Sequence, residues 1–242
     1  MMNLTKKSRR VALALVMCAG MSSSAWAGLD EPGPEPEPNP IVRLMTATIT
    51  ADNHYALFTG RDDAMIRIGH NETGAGGQPG PYNWSQAETF RFIPGQNLYI
   101  AAWSDDQIAQ GLLAQITMGT MTFHTGDARW QVFRTNLDRD DNAPVPGSGF
   151  VEAQVAIANA NNAWETPHVG GNNGIQPWGT IAGIAGDIPW TWAGVAGDGD
   201  PLIGGVDAGE VLIFRMTNVP TPGAAAVLGL AGLAACRRRR IG

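Results

Sequence analysis

From Ile41 to Thr217 the chain is a series of short runs rich in Ile, Val, Phe, Tyr, Trp and Thr, each closed within a few residues by Gly, Pro, Asn or Asp. This punctuation leaves little room for amphipathic helices and predicts an all-β body. Strands are expected near 42–50, 54–59, 64–69, 88–93, 97–103, 112–118, 120–124, 129–135, 150–158, 190–193 and 210–217. In the third, Ile66 and Ile68 share a face opposite Arg67, the pattern of a half-buried strand. Leu98-Tyr99-Ile100-Ala101-Ala102-Trp103 is apolar on both faces and belongs at a sheet centre. Only Asp105 to Leu113 could hold a helical turn. Gly170 to Gly209 carries 12 Gly with little periodicity and predicts long ordered loops.

The 242 residues are 44% hydrophobic, enough for one or two domains with a sizeable core. Both Cys, at 18 and 236, lie near the ends, so the body between them must hold together without disulfides or a Cys metal site. Charge is unevenly spread. Residues 28–218 contain eight Arg, no Lys and all 22 acids, a net charge of −14. Such a body repels phosphate backbones, which excludes nucleic acid as an expected partner.

Each end carries an address. Lys6 to Arg10, the apolar run Val11 to Met21 and the small-residue site Ala25-Trp26-Ala27 form a secretory signal, with cleavage expected after Ala27. Met17 is bulky where a lipoprotein signal ending at Cys18 would want a small residue. Residues 28–40 follow as an acidic Pro-rich linker, predicted to be extended. At the far end, Pro220-Thr221-Pro222 precedes the small and apolar stretch Gly223 to Cys236 and then Arg237-Arg238-Arg239-Arg240. As a helix that stretch would reach roughly 21 Å, short of the roughly 30 Å hydrocarbon core. The Arg run would keep its end cytoplasmic while the body lies outside.

This tripartite end resembles the PEP-CTERM sorting tail. The resemblance implies recognition and cleavage by an exosortase-type membrane protease, with only transient membrane contact through the tail at 219–242. Thr221 stands where that family usually has Glu, which leaves the cleavage point open. An ordinary tail anchor is the alternative.

A second resemblance covers most of 46–216. It runs from Thr50-Ala51-Asp52-Asn53-His54-Tyr55 through Trp84, Phe90 and Pro94-Gly95-Gln96-Asn97-Leu98-Tyr99-Ile100-Ala101-Ala102 to Gly111-Leu112-Leu113-Ala114. Thr125-Gly126-Asp127, Trp130, Pro177-Trp178-Gly179, Trp190-Thr191-Trp192 and Phe214-Arg215 continue it. In this order they resemble the galactose-binding-like jelly-roll modules of bacterial glycosidases. The resemblance implies one jelly-roll β-sandwich over 41–218 with carbohydrate as a ligand class, and gives Asp52 and Asn53 a turn-shaping role. Where that family has Asn-Gly in its first hairpin, this chain has Thr59-Gly60-Arg61-Asp62-Asp63.

No catalytic motif emerges. The four His, at 54, 70, 124 and 168, lack metal spacing, and Gly147-Ser148-Gly149 is not a nucleophile elbow. Asp138-Arg139-Asp140-Asp141-Asn142 concentrates oxygen ligands and is a candidate Ca²⁺ turn through Asp138, Asp140, Asp141 and Asn142, or else a solvated acidic turn. Asp198-Gly199-Asp200 is a second such turn. Tyr82, Trp84, Trp164 and Trp178 lie in or beside loops, where their rings could stack on sugars or pack beneath the loops. Trp130 and Trp192, in strands, read as core.

The expected protein is therefore a non-enzymatic exported protein of the cell surface or extracellular matrix, with an extracellular polysaccharide as its candidate partner. The alternatives are a structural or adhesive component without a small ligand, and a secreted glycoside-processing enzyme carrying a carboxylate pair.

Overall fold

The computed structural model describes residues 43–71, 84–104, 109–140, 143–194, 202–203 and 209–219. Outside them lie the signal site at Ala25 and Ala27, the linker, Tyr82, Asp141, Asn142, Asp198 to Asp200, and the tail with Pro220, Thr221, Pro222 and Arg237 to Arg240.

Alternation along the strands builds two sheets. In β1 (Met45–Asp52), Met45, Ala47, Ile49 and Ala51 point into a shared core, while Thr46 and Thr48 stay half-exposed. The strands that follow are β2 (His54–Arg61), β3 (Ala64–His70), β4 (Glu88–Phe92), β5 (Asn97–Trp103), β6 (Gly111–Met118), β7 (Met121–His124) and β8 (Trp130–Asp138). After α1 (Ser148–Asn161) come β9 (His168–Asn172), β10 (Pro189–Trp192) and β11 (Glu210–Met216). One sheet runs β4-β1-β6-β10-β9, with β7 also on β6; the other runs β3-β2-β5-β11-β8. All pairings are antiparallel, and the two sheets form an all-β sandwich.

The five-stranded sheet is covered on both faces. Tyr55, Leu57, Leu98, Ile100, Ala102, Leu212 and Phe214 enter the core between the sheets. Ala56, Phe58, Tyr99, Ala101, Trp103, Val211 and Ile213 pack instead beneath α1, against Val151, Val155 and Ala158. Every residue of β5 and β11 is consequently buried, as the two-faced run Leu98 to Trp103 predicted for a central strand. Trp130 and Trp192 are core residues, as read.

Three expectations are corrected. Residues 150–158 are not a strand but lie within α1, because Val151, Gln154, Val155 and Ala158 form a buried helical stripe and Asn162 closes the helix in the left-handed conformation (φ 51°). Gly111, expected only in a helical turn, opens β6, and Leu112 and Leu113, which also began the expected strand 112–118, are fully buried within it. The third concerns β3, where Arg67 does take the helix side, reaching the Pro146 carbonyl, and Ile68 packs against the inter-sheet core. Ile66, however, is 64% exposed, because β3 is an edge strand.

The Gly-rich region contains the unpredicted β9, but 173–188 is the long ordered loop expected. Its organiser is the buried Asn173, which donates to the carbonyls of Ile181 and Ile184 (3.0 and 2.8 Å) and accepts from the Ile181 amide (2.7 Å). The loop lies across the outer side of β1 and β6, where Gly183 approaches Thr48 and the Ala185 amide donates to Gln115 Oε1 at 2.8 Å. Trp178 is thereby buried, stacked on Trp190 at 4.3 Å.

Candidate functional site

The densest polar constellation among the described residues gathers at the pole where β2 turns into β3. The turn holds Asp62, β5 brings Asn97 and Tyr99, α1 ends at Asn159, β11 supplies Arg215, β8 supplies Gln131, and Trp164 follows the helix. Asp62 Oδ1 accepts from the Tyr99 hydroxyl and from Asn97 Nδ2 (2.9 Å), and Oδ2 from Asn159 Nδ2 (2.7 Å) and Arg215 Nη1 (3.4 Å). Arg215 also donates to Asn159 Oδ1 (2.9 Å) and Gln131 Oε1 (2.8 Å), and its guanidinium lies 3.9 Å from the Trp164 ring centre. Its Nε, buried, has no partner.

The electrostatics follow. Burial opposes ionisation of Asp62, but the bonds from Tyr99 and Asn159 and the charge of Arg215 outweigh it and hold the carboxyl below its ordinary range. Tyr99 is pushed up by burial and by its bond to Asp62. Burial pulls Arg215 down, with Asp62 opposing. Such a cluster can clamp a hairpin, a helix end and three strands together. It does so with both oxygens of its carboxylate already saturated.

The four aromatic candidates do not come together. Half-buried Trp164 donates its Nε1 to Asn159 Oδ1 at 2.8 Å, has Arg215 over its ring, and sits against Phe133 with ring centres 6.0 Å apart. Trp84 packs against the inter-sheet core, and its carbonyl accepts from the Thr50 hydroxyl (2.7 Å). Trp178 donates to Asp52 Oδ2 at 2.8 Å on the opposite side of the fold. Asn53, beside Asp52, bonds Ser104 and Asn71 through its Oδ1 and carbonyl (2.7 and 2.6 Å).

At the other pole Asp138 and Asp140, two of the four Ca²⁺ candidates, are exposed. The register sets Glu210 opposite Asp138 across β11 and β8. Glu210 is buried, accepts from the Asn136 amide, and is raised by burial and the neighbouring carboxylates of Asp138 and Glu165. Glu88, also raised by burial, accepts from the Tyr55 hydroxyl at 2.8 Å. Among the described residues no three His, Cys, Asp or Glu side chains converge as a metal site would require, and no helix is long and apolar enough to cross a membrane.

Sequence reading picked out Trp164 but not its surroundings. Asp62 and Arg215 are 153 positions apart, and the family resemblance that includes Phe214-Arg215 assigns neither a site role. Comparison of the chain with family models, with curated proteins and with solved structures finds no match.

Proposed function

We propose that this is an exported, non-enzymatic protein of the cell surface or extracellular matrix, a jelly-roll sandwich of galactose-binding-like type released by an exosortase-type protease. The observation that carries the reading is where the described strands lie. Val219, 5% exposed, gives its amide to the Gln96 carbonyl (3.0 Å), and the next residue opens Pro220-Thr221-Pro222. Among the described residues every strand falls within Met45 to Met216, so a peptidase could remove both addresses without cutting one of them. Intact-mass measurement of protein recovered from its own cells tests this. A chain beginning at Gly28 and lacking Arg237 to Arg240 is expected; surface-exposed protein that retains the Arg run would refute the processing.

A neutral carbohydrate is the ligand class the family resemblance implies, with the free side of Trp164 beside Gln131 and Asn159 as the place for it. Binding there would be weak and insensitive to salt, since no ion pair contributes. A glycan panel, repeated with Trp164→Ala, tests the site: retention should vanish with the indole. One observation favours the ligand-free structural reading instead. The Asp62 cluster spends its hydrogen bonds internally, and Arg215 already covers the indole. A panel with no retained glycan would decide for that reading.

A further inference from the structure

We infer that the pole from which the C-terminal tail leaves is a docking face for an anionic lipid surface, so that the tethered body stands on the membrane in a fixed orientation. The inference rests on the proposed sorting tail, in the state before its cleavage, and adds a second contact made by the folded body. β1 begins at Met45, two residues after Arg43, and Met45 pairs there with Phe92 of β4. The chain leaves at the same end. Asn218 donates its amide to Asn97 Oδ1 (3.3 Å) and Val219 to the Gln96 carbonyl (3.0 Å), only four residues beyond Phe92. Only Pro220, Thr221 and Pro222 separate Val219 from Gly223, so a membrane holding Gly223 to Cys236 would lie within about 15 Å of Val219 by chain length alone.

The surface there suits that neighbour. Leu44 and Ile93, each one residue past the Met45–Phe92 pair, are 43% and 58% exposed. Arg43 and Arg91 flank them, both exposed and in no ion pair among the described residues. Among the described residues, three other cations of this pole are paired, Arg61 with Asp63 at 3.0 Å, Arg129 with Asp127, and Arg215 with Asp62 at 3.4 Å, while Glu152, which accepts from the Met65 amide (2.9 Å), is in no ion pair. Two free cations and an apolar pair thus mark an end of a body whose net charge is −14. The opposite pole shows Asp138 and Asp140 and would be repelled by anionic lipid.

The test uses the signal-processed chain, Gly28 to Gly242, with Cys236→Ser and a single environment-sensitive fluorophore placed through Gln96→Cys or Asp140→Cys. It is reconstituted on vesicles of phosphatidylcholine alone or with a phosphatidylglycerol fraction. Flotation is expected on both. Protection of the label at position 96 from an aqueous quencher is expected only with phosphatidylglycerol and at low salt, while the label at 140 stays accessible. Arg43→Gln and Arg91→Gln should each lower the docked-to-undocked ratio about five-fold. Flotation with no protection at 96, or with protection at 140, would overturn the docking face and leave the anchor standing. Failure to float on neutral vesicles would overturn the anchor, and the docking face with it.

Discussion

Asp62 and Glu88 are both partly buried carboxylates bonded to a tyrosine hydroxyl, yet they move in opposite directions because Asp62 also accepts from Asn159 and Asn97 and has the Arg215 charge beside it, whereas burial dominates at Glu88. Their linkage to stability is opposite in sign. Asp62, held low, contributes stability above its unfolded value of about 4, and this is lost as pH falls through the lower folded value. Asp127, lowered by its bond to Arg129, adds to that loss. Glu88 and Glu210, held high, cost stability once pH rises above about 4.3 toward and through their folded values. Denaturant unfolding across pH should therefore show stability rising as pH falls through the raised folded values of Glu88 and Glu210 toward about 4.3, then dropping below about 4. Glu88→Gln should flatten the first limb and Asp62→Asn the second. The two tryptophans of interest should separate as well. Trp178→Ala, which empties a stacked core position, should cost roughly 3–5 kcal/mol. Trp164→Ala, losing one cation–π contact and one hydrogen bond, should cost about 1–2 kcal/mol.

At the scale of elements, the helix is the instructive case. Val151, Ala153, Val155 and Ile157 alternate well enough to imitate a strand, and alanine fits either template. What decides is the five-stranded sheet, whose second apolar face needs a cover that a stripe at 151, 155 and 158 supplies. Ile157, one of the residues that suggested a strand, is 46% exposed. By contrast β1 and β5 were legible because each displays its burial pattern within a few residues. β9, His-Val-Gly-Gly-Asn, has no pattern of its own and is a strand only because β10 pairs with it. The Asp62 cluster was illegible for the same reason: its members meet through topology, not spacing. Val155→Ala should lower stability by roughly 2 kcal/mol through the lost methyls and the resulting void, and the solvent-facing Ala156→Gly by about 1 kcal/mol through helix propensity. Thermal melts of the two variants would measure both.

For the whole molecule, the two apolar clusters lie on opposite faces of one sheet, so neither survives without the other. The segment 43–219 should unfold in a single transition, with coincident far-ultraviolet circular dichroism and tryptophan fluorescence. Reductant should leave its midpoint unchanged, since it contains no Cys. Separate midpoints for the two probes would show that the helix layer melts independently.

The place of β11 in its sheet bears on timing. The last strand of the body lies between β5 and β8, with Phe214 opposite Ile100 on one side and Val132 on the other. β8 has no other sheet neighbour, so the five-stranded layer stays broken until Met216 arrives. Ladders that join such distant stretches close slowly, since the loop entropy must be spent before any contact rewards it. A ribosome can therefore release the body as far as β10 before its architecture is able to lock. Under the proposed export the body would stay threadable until β11 emerges, and locking would fall to the far side of the pore.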